Sequence, residues 1–404
     1  MGLNAKQLTT RIRKVNLRHY DFWIFMATFA LLVYGLLILF SASAPNSASR
    51  NGGDAFALFR SQLRFAGIGF AAMLLLTFVP YRLWGKLAPL AMAASFLALL
   101  LVFVPGFSVS GSGTRRWLDV GPISFQPSEV AKFALIVFLS ASLAKRRGVL
   151  SRYWKGLLPY LLVVAAFAGL VVIEPHVSGA VFILSIGLCV LFAAGAKIWH
   201  FAATAAVVAP LGFVAIEFLP LPEYVQKRVD SFFNLGADAL DKDWQVMQSL
   251  YAIGSGGLFG KGLTKSTQKF MYLPEPQNDF IFAVLAEELG FFGAAVAIAL
   301  FAVLLWRGIK VAMMSNDPFG CYLAVGITAH ITIQALANIA VVTASIPATG
   351  VSLPFFSSGG TSLCIFLAEV GILLNVSKNT HVDTVLPAND VSAAVKYQTL
   401  ADYN

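Results

Sequence analysis

Apolar runs close to the roughly 20-residue length that crosses a bilayer recur along the whole chain. Ten are legible, at about 22–43, 63–80, 86–105, 128–145, 156–174, 178–196, 198–220, 280–306, 320–345 and 355–376. Backbone amides in lipid need partners within their own segment, so runs of this length predict helices. Transmembrane strands would be about 10 residues long and alternate in polarity, and these runs do neither. The pattern predicts an all-α polytopic membrane protein with ten transmembrane helices. Its longest polar interruption, an extracytoplasmic loop at residues 222–279, falls between helices 7 and 8. Inside it, Trp244 to Phe259 has the spacing of an amphipathic helix that ends at Gly256-Gly257 and suits the membrane surface.

Composition agrees with this reading. The chain is 58% hydrophobic and only 12% charged, against about 25% charged in soluble domains. A net charge of +9 would suggest nucleic acid in a soluble protein, but here its distribution reads as topology. Lys6, Arg11, Arg13, Lys14 and Arg18 precede the first run and place the N-terminus in the cytoplasm. Ten crossings return the C-terminus to the same side, and the even-numbered turns carry Arg82, Lys86, Lys145, Arg146 and Arg147. No nucleic-acid partner is expected, and the basic inner collar suits anionic lipid headgroups. Ser41-Ala42-Ser43-Ala44 resembles a signal cleavage site, but its apolar run is too long for a signal and Pro45 follows, so the helix reads as retained. Cys189, Cys321 and Cys364 all fall inside apolar segments and read as packing residues. The chain divides into a cytoplasmic tail (1–20), one membrane domain (21–378) and a cytoplasmic tail (379–404) expected to be disordered. It lacks the internal repeat of many secondary transporters.

Chemistry concentrates at the outer ends of the helices. Asp279 stands where the long loop meets the eighth run. It suits a general base facing water, and equally an ordinary helix N-cap. Glu287 and Glu288 lie inside that run, where carboxylates are costly and face a protein interior or a water cavity. Glu129 and Lys132 are three residues apart, which allows either a self-neutralising pair or a lysine reserved for phosphate. Arg115, Arg116 and Trp117 could grip a diphosphate through bidentate guanidinium bonds, or lie at headgroup depth as snorkelling residues. Lys261, Lys265 and Lys269 recur every four residues, as a basic stripe or a solvated face. Ser358, Gly359 and Gly360 open the last run, where helix N-terminal amides can bind anions and Ser or Thr can cap. Glu174-Pro175-His176 pairs a carboxylate with an imidazole at the fifth outer turn and could shuttle protons. No dedicated metal cage and no HExxH, Walker A or GxSxG motif appears.

Several of these stretches occur together and in order. They are Arg115-Arg116-Trp117-Leu118, Phe125-Gln126-Pro127-Ser128-Glu129 through Lys132, Gln248 to Ala252 and Gly256 to Gly260. Leu273 to Ala283 with Glu287-Glu288, Asn338 to Gly350, Leu353-Pro354-Phe355 and Ser358 to Ser362 follow. From about residue 20 to 378 the chain resembles the SEDS family (shape, elongation, division and sporulation), and its Leu-Pro-Phe and Tyr-Leu-Pro-Glu-Pro-Gln runs are closer to the FtsW/SpoVE branch than to RodA. The resemblance implies a glycosyltransferase of the bacterial cytoplasmic membrane that polymerises lipid II beside a class B penicillin-binding protein and other divisome proteins. It implies Asp279 as the essential acid, and matches Arg115, Arg116, Trp117 and Lys132 to the family's Arg/Trp loop and fourth-helix lysine. Those four, together with Glu129, Gln126, Ser358, Gly359, Gly360 and Lys269, are the expected substrate-binding residues. Glu287 and Asn338 take accessory or structural roles. The Glu174-Pro175-His176 turn departs from the Gln-Pro-Asp of many relatives.

In that reading Asp279 removes the proton from the acceptor sugar's 4-hydroxyl, and the cations neutralise the departing diphosphate. A divalent cation, Mg2+ or Mn2+, is left open as an assistant. A septal role in division is expected, with elongation or sporulation as alternatives. A lipid II flippase is the rival activity, with Arg64, Lys132, Glu129, Glu287 and Glu369 along a headgroup path. A noncatalytic scaffold for the transpeptidase is a third reading.

Overall fold

The computed structural model describes residues 12–17, 20–104, 107, 116–120, 123–218, 223–235, 243–270 and 272–385. Its helices are α1 (Phe22–Arg50), α2 (Ala57–Phe78), α3 (Arg82–Leu101), α4 (Pro127–Lys145), α5 (Leu158–Ile173), α6 (Val177–Ala193), α7 (Ile198–Phe218), α8 (Glu223–Phe233), α9 (Trp244–Gly256), α10 (Ile281–Met314), α11 (Pro318–Val342) and α12 (Gly360–Ser377). Among the described residues, eight helices are long and apolar enough to cross a membrane. They are α1 to α4, a helix spanning Tyr153–Ile173 that includes α5, and α10 to α12. Two shorter apolar helices, α6 and Ile198–Pro210 of α7, occupy the other two predicted runs.

Helix ends carry the expected chemistry. Asp21 caps α1 by accepting from the amides of Trp23 and Ile24, and the Arg307 guanidinium clamps the same carboxylate at 2.5–3.1 Å. Asp317 caps α11, with a proline at its first turn. α1 runs on through Ser41–Ala44 and Pro45 to Arg50. The core has two clusters. One joins α1, α2 and α10 to α12, and the other is built from α4, α5 and α6. α3 buries little beyond Ala88, Ser95 and Leu99, so most of its surface faces outward.

Three expectations change. The fold is not purely helical. A short hairpin, β2 (Leu118–Val120) with β3 (Ile123–Phe125), lies in the loop before α4. The C-terminal tail is not wholly unstructured. β1 (Ile12–Leu17) pairs antiparallel with β4 (Thr380–Val385), which brings the two ends of the membrane domain together. Residues 386–404 lie outside the described part. The long loop at 222–279 also holds one more helix than expected, α8, before α9.

α10 is broken at Gly290, whose φ of 67° is left-handed. A break inside a span frees amides and carbonyls that lipid cannot satisfy. The segment after α9 takes them. Lys261 N donates to the Glu287 carbonyl at 3.0 Å and Gly262 N to that of Glu288 at 2.9 Å. Phe291 N and Phe292 N donate back to the carbonyls of Gly257 and Leu258. Glycine is required at this crossing, because a Cβ on Gly256 would lie 2.0 Å from the Ala286 carbonyl oxygen. The N-terminal segment of α10, Ile281 to Leu289, is thereby locked to the loop and carries Asp279 at its entrance.

Candidate functional site

Asp279 does not cap α10. The cap position is Phe280, and no side chain caps there. The Asp279 carboxylate is left for a cavity instead. That cavity, of about 250 Å³, is also lined by Arg116, Trp117, Gln126, Glu129, Lys132 and Gln334. Each wall has a local cause. The β2–β3 hairpin pairs Leu118 with Phe125, so Arg116 and Trp117 before it meet Gln126 after it. Arg116 reaches the Pro175 carbonyl, which ties the hairpin to the α5–α6 turn. Glu129 and Lys132 project from the first turns of α4, with Lys132 Nζ 2.7 Å from both Glu129 Oε1 and Gln334 Oε1. Ser358 and Gly359 close the wall at the start of α12.

The backbone of Asp279 is held from three sides. Asn338 Nδ2 donates to its carbonyl at 2.7 Å and to that of Val351 at 2.5 Å. Ser357 Oγ donates to the Asn278 carbonyl at 2.6 Å, and Ser358 N to that of Gln277 at 2.8 Å. Asn46 Nδ2 holds the Gln277 side chain at 2.8 Å, and Arg50 pairs with Glu275 at 2.5 Å. Gly350 has a left-handed φ of 64°, and a Cβ there would lie 3.2 Å from Asp279 Oδ2 and 4.0 Å from Arg228 Nη2.

Burial pushes the Asp279 carboxyl up to about 6, while Arg228 and Arg116 pull it down and Glu275 pushes it up. It is therefore ionised at neutral pH, with a proton affinity suited to a general base. Burial pushes Glu174 up to about 8 against the pull of Arg116. Burial, then the charges of Arg116, Lys132 and Arg228, depress His176 to about 3. Both groups of that turn are thus uncharged at neutral pH, and the His176 ring lies 3.3 Å from Gln126 Nε2.

Of the residues read from the sequence, Asp279, Arg116, Trp117, Gln126, Glu129, Lys132, Ser358 and Gly359 line the one cavity. Arg115 lies outside the described residues. Lys269 does not join them. It is buried, and its Nζ donates to Glu288, Ser41 and the Thr264 carbonyl at 2.7–2.8 Å. Lys261 holds Glu287 at 2.7 Å, so the four-residue spacing of these lysines marks no stripe. Their segment is turns, and two of them neutralise the two buried acids of α10. The α12 amides expected to bind an anion are partly engaged already, since Gly359 N lies 3.3 Å from Gln62 Oε1. Gly360 serves packing, because a Cβ there would lie 2.2 Å from the Phe65 ring. Arg64 is exposed on α2, and Glu369 is closed off with His330 at 2.9 Å, so the proposed row of path charges is not continuous.

Sequence reasoning missed Arg228, Gln334, Ser352 and Asn278. Arg228 sits on α8, whose 3–4 spacing of Val225, Val229 and Phe232 was the available signal. Gln334 lies four residues before Asn338 on α11, one turn along the same face.

The family model for cell cycle proteins of the FtsW, RodA and SpoVE type matches residues 22–382. Stage V sporulation protein E of Bacillus subtilis is 43% identical over 89% of this chain and 97% of its own length. "Probable peptidoglycan glycosyltransferase FtsW" of a Geobacter species is 38% identical over 89% of this chain and 96% of its own. A chain of a solved peptidoglycan synthase complex that coordinates polymerization and crosslinking is 29% identical, with a TM-score of 0.73 over 89% of this chain and 97% of that one. The rod shape determining protein RodA of Thermus thermophilus is 27% identical, with a TM-score of 0.64 over 89% and 97%. With the fold in agreement and the family model matching residues 22–382, this integral membrane protein belongs to the FtsW/RodA/SpoVE family.

Proposed function

We propose that this protein is a peptidoglycan glycosyltransferase that polymerises lipid II into glycan strands at the outer face of the cytoplasmic membrane. The observation that carries it is the uncapped Asp279 carboxylate sharing one cavity with Arg116 and Lys132. Its relatives' names point to the same reaction. Asp279 takes the proton of the acceptor's 4-hydroxyl as that oxygen bonds to the donor's anomeric carbon. The anomeric carbon's bond to the diphosphate breaks on the opposite face, which inverts the centre. Arg116 and Lys132 stabilise the charge gathering on the leaving polyprenyl diphosphate. Glu129 and Gln334 hold the Lys132 ammonium in place from below.

A divalent cation fits the cavity as an assistant. Among the described residues no group of three acidic, His or Cys side chains forms a metal cage. Glu129 Oε2 is nonetheless buried without a partner on the cavity wall, and with Asp279 it would hold Mg2+ or Mn2+. Such an ion would supply further charge neutralisation for the diphosphate.

Ten crossings are supported by the two shorter apolar helices added to the eight long ones. The β1–β4 pairing supports both termini on one side, the cytoplasm by the basic N-terminal residues. Residues 222–279 then form the extracytoplasmic loop of one membrane domain at 21–378. A class B penicillin-binding protein is the proposed partner, in keeping with the solved assembly that couples polymerization to crosslinking. A septal role fits the FtsW relatives, and a sporulation role the Bacillus one.

The decisive experiment gives lipid II to the purified Asp279→Asn variant. Polymer formation should fall by about 10²- to 10⁴-fold. A variant that still makes glycan at the normal rate removes Asp279 from the chemical step.

A further inference from the structure

A second concave site lies at the opposite end of the molecule from Asp279. It is a cavity of about 330 Å³ where α3, α4 and the start of α11 meet. Arg82 and Lys86 of α3 and Lys145 of α4 stand on its rim, above Gly85, Ala141, Ala144 and Phe319. All three cations are exposed. Asp317 is the one acid of the lining, and it is engaged by the Tyr81 hydroxyl, by Gly320 N at 2.7 Å and by Arg82 at 3.4 Å. That leaves the two lysines to give the mouth its net positive charge. The wall is fixed in place, since Tyr81 N donates to Asn375 Oδ1 of α12 at 2.8 Å.

The same face of α3 continues into an apolar groove. Arg82, Lys86, Pro89, Ala93 and Phe96 follow one another at three- and four-residue spacing, which keeps them in one row. The groove, of about 450 Å³, is walled by Pro89, Met92, Phe96, Phe138, Val163 and Phe167 from α3, α4 and α5. On α4, Phe138 stands three residues before Ala141 and seven before Lys145, in line with the basic mouth. A cationic mouth followed along one helix seam by an aliphatic and aromatic furrow has the polarity profile of a single phospholipid. Basic pockets between helices on the cytoplasmic side suit anionic headgroups.

We propose that the α3–α4 seam is a binding site for one membrane phospholipid with an anionic headgroup. Its phosphate sits between Lys86 and Lys145, and an acyl chain lies in the furrow past Pro89 and Phe96. A zwitterionic lipid would bring its own cation to the two lysines and lose the attraction.

The test is native mass spectrometry of the full-length protein in detergent, mixed with phosphatidylglycerol or phosphatidylcholine of the same chains. Phosphatidylglycerol should be retained in preference. Lys86→Ala and Lys145→Ala should each weaken its retention about fivefold, and Ala93→Trp should weaken it by filling the furrow. sn-Glycerol 3-phosphate should not displace the lipid. Equal retention of the two lipids overturns the proposal, as does unchanged retention in the double lysine variant. Full displacement by glycerol 3-phosphate also overturns it, because it marks an anion site without a lipid furrow. Should an alanine variant melt early, Lys86→Gln with Lys145→Gln is to be used, which keeps the side-chain stems. None of these readouts depends on polymerase activity, so their failure would leave the reading of Asp279 untouched.

Discussion

At the scale of single residues, one carboxylate has been set at odds with stability. Burial raises Asp279 from its ordinary 3.8 to about 6, so the folded state holds that proton more tightly than the unfolded chain. The stabilisation is complete below 3.8 and is lost as pH rises through about 6. The role proposed for Asp279 runs the other way, because a base must be ionised. Polymerisation rate should rise with pH along a limb centred near 6. A profile flat from pH 5 to 8, in a regime where chemistry limits, would contradict Asp279 as base. Gly350 is the second telling residue. Its backbone is left-handed, and a Cβ there would lie 3.2 Å from Asp279 Oδ2, so a methyl group would push the carboxylate aside by a few tenths of an ångström. Gly350→Ala should lower the turnover of lipid II by about tenfold, as backbone strain of about 1–2 kcal/mol is relieved by shifting the carboxylate. Unchanged turnover would mean that this approach plays no part. Asp279 was legible as a candidate from its place at a loop-to-helix border. That it faces a cavity instead of capping the helix was not, because capping depends on where the first helical turn begins.

At the scale of elements, the broken α10 is the organising feature. The segment before the break carries Glu287 and Glu288 into the protein, and each meets a lysine from the loop after α9. Lys269 and Glu288 are both buried, 2.8 Å apart, with Ser41 of α1 completing the contact. Lys269→Ala should cost about 3–5 kcal/mol, since it strands a buried carboxylate. Lys269→Met combined with Glu288→Leu should recover much of that loss. Unfolding midpoints in detergent check both, and a double variant as unstable as the single one would refute the account. The sequence announced two lysines and two acids. It could not pair them, because the partners are 26 and 19 residues apart and meet only where the segment after α9 crosses the α10 break. Periodic spacing of Lys261, Lys265 and Lys269 suggested a helical stripe, but glycines at 260 and 262 with positive φ turn that stretch into loop.

At the scale of the whole molecule, the antiparallel β1–β4 pair joins the two ends of the membrane domain and predicts an even number of crossings. A fluorescent protein fused after residue 404 should fluoresce in the cytoplasm. Alkaline phosphatase inserted near residue 240 should be active outside. The opposite pattern would invert the topology. The sequence by itself determined the helical membrane class, the order of the apolar runs and the residue types offered to the cavity, because apolar length and charge placement are local properties. Only the tertiary structure decided which charges remain available. It turned Lys269 inward, closed Glu369 onto His330 and brought Arg228 and Gln334 to a site that no motif had flagged. The reason is physical: a buried charge takes whichever partner the packing brings within hydrogen-bond reach, and that choice is made between segments far apart in the chain.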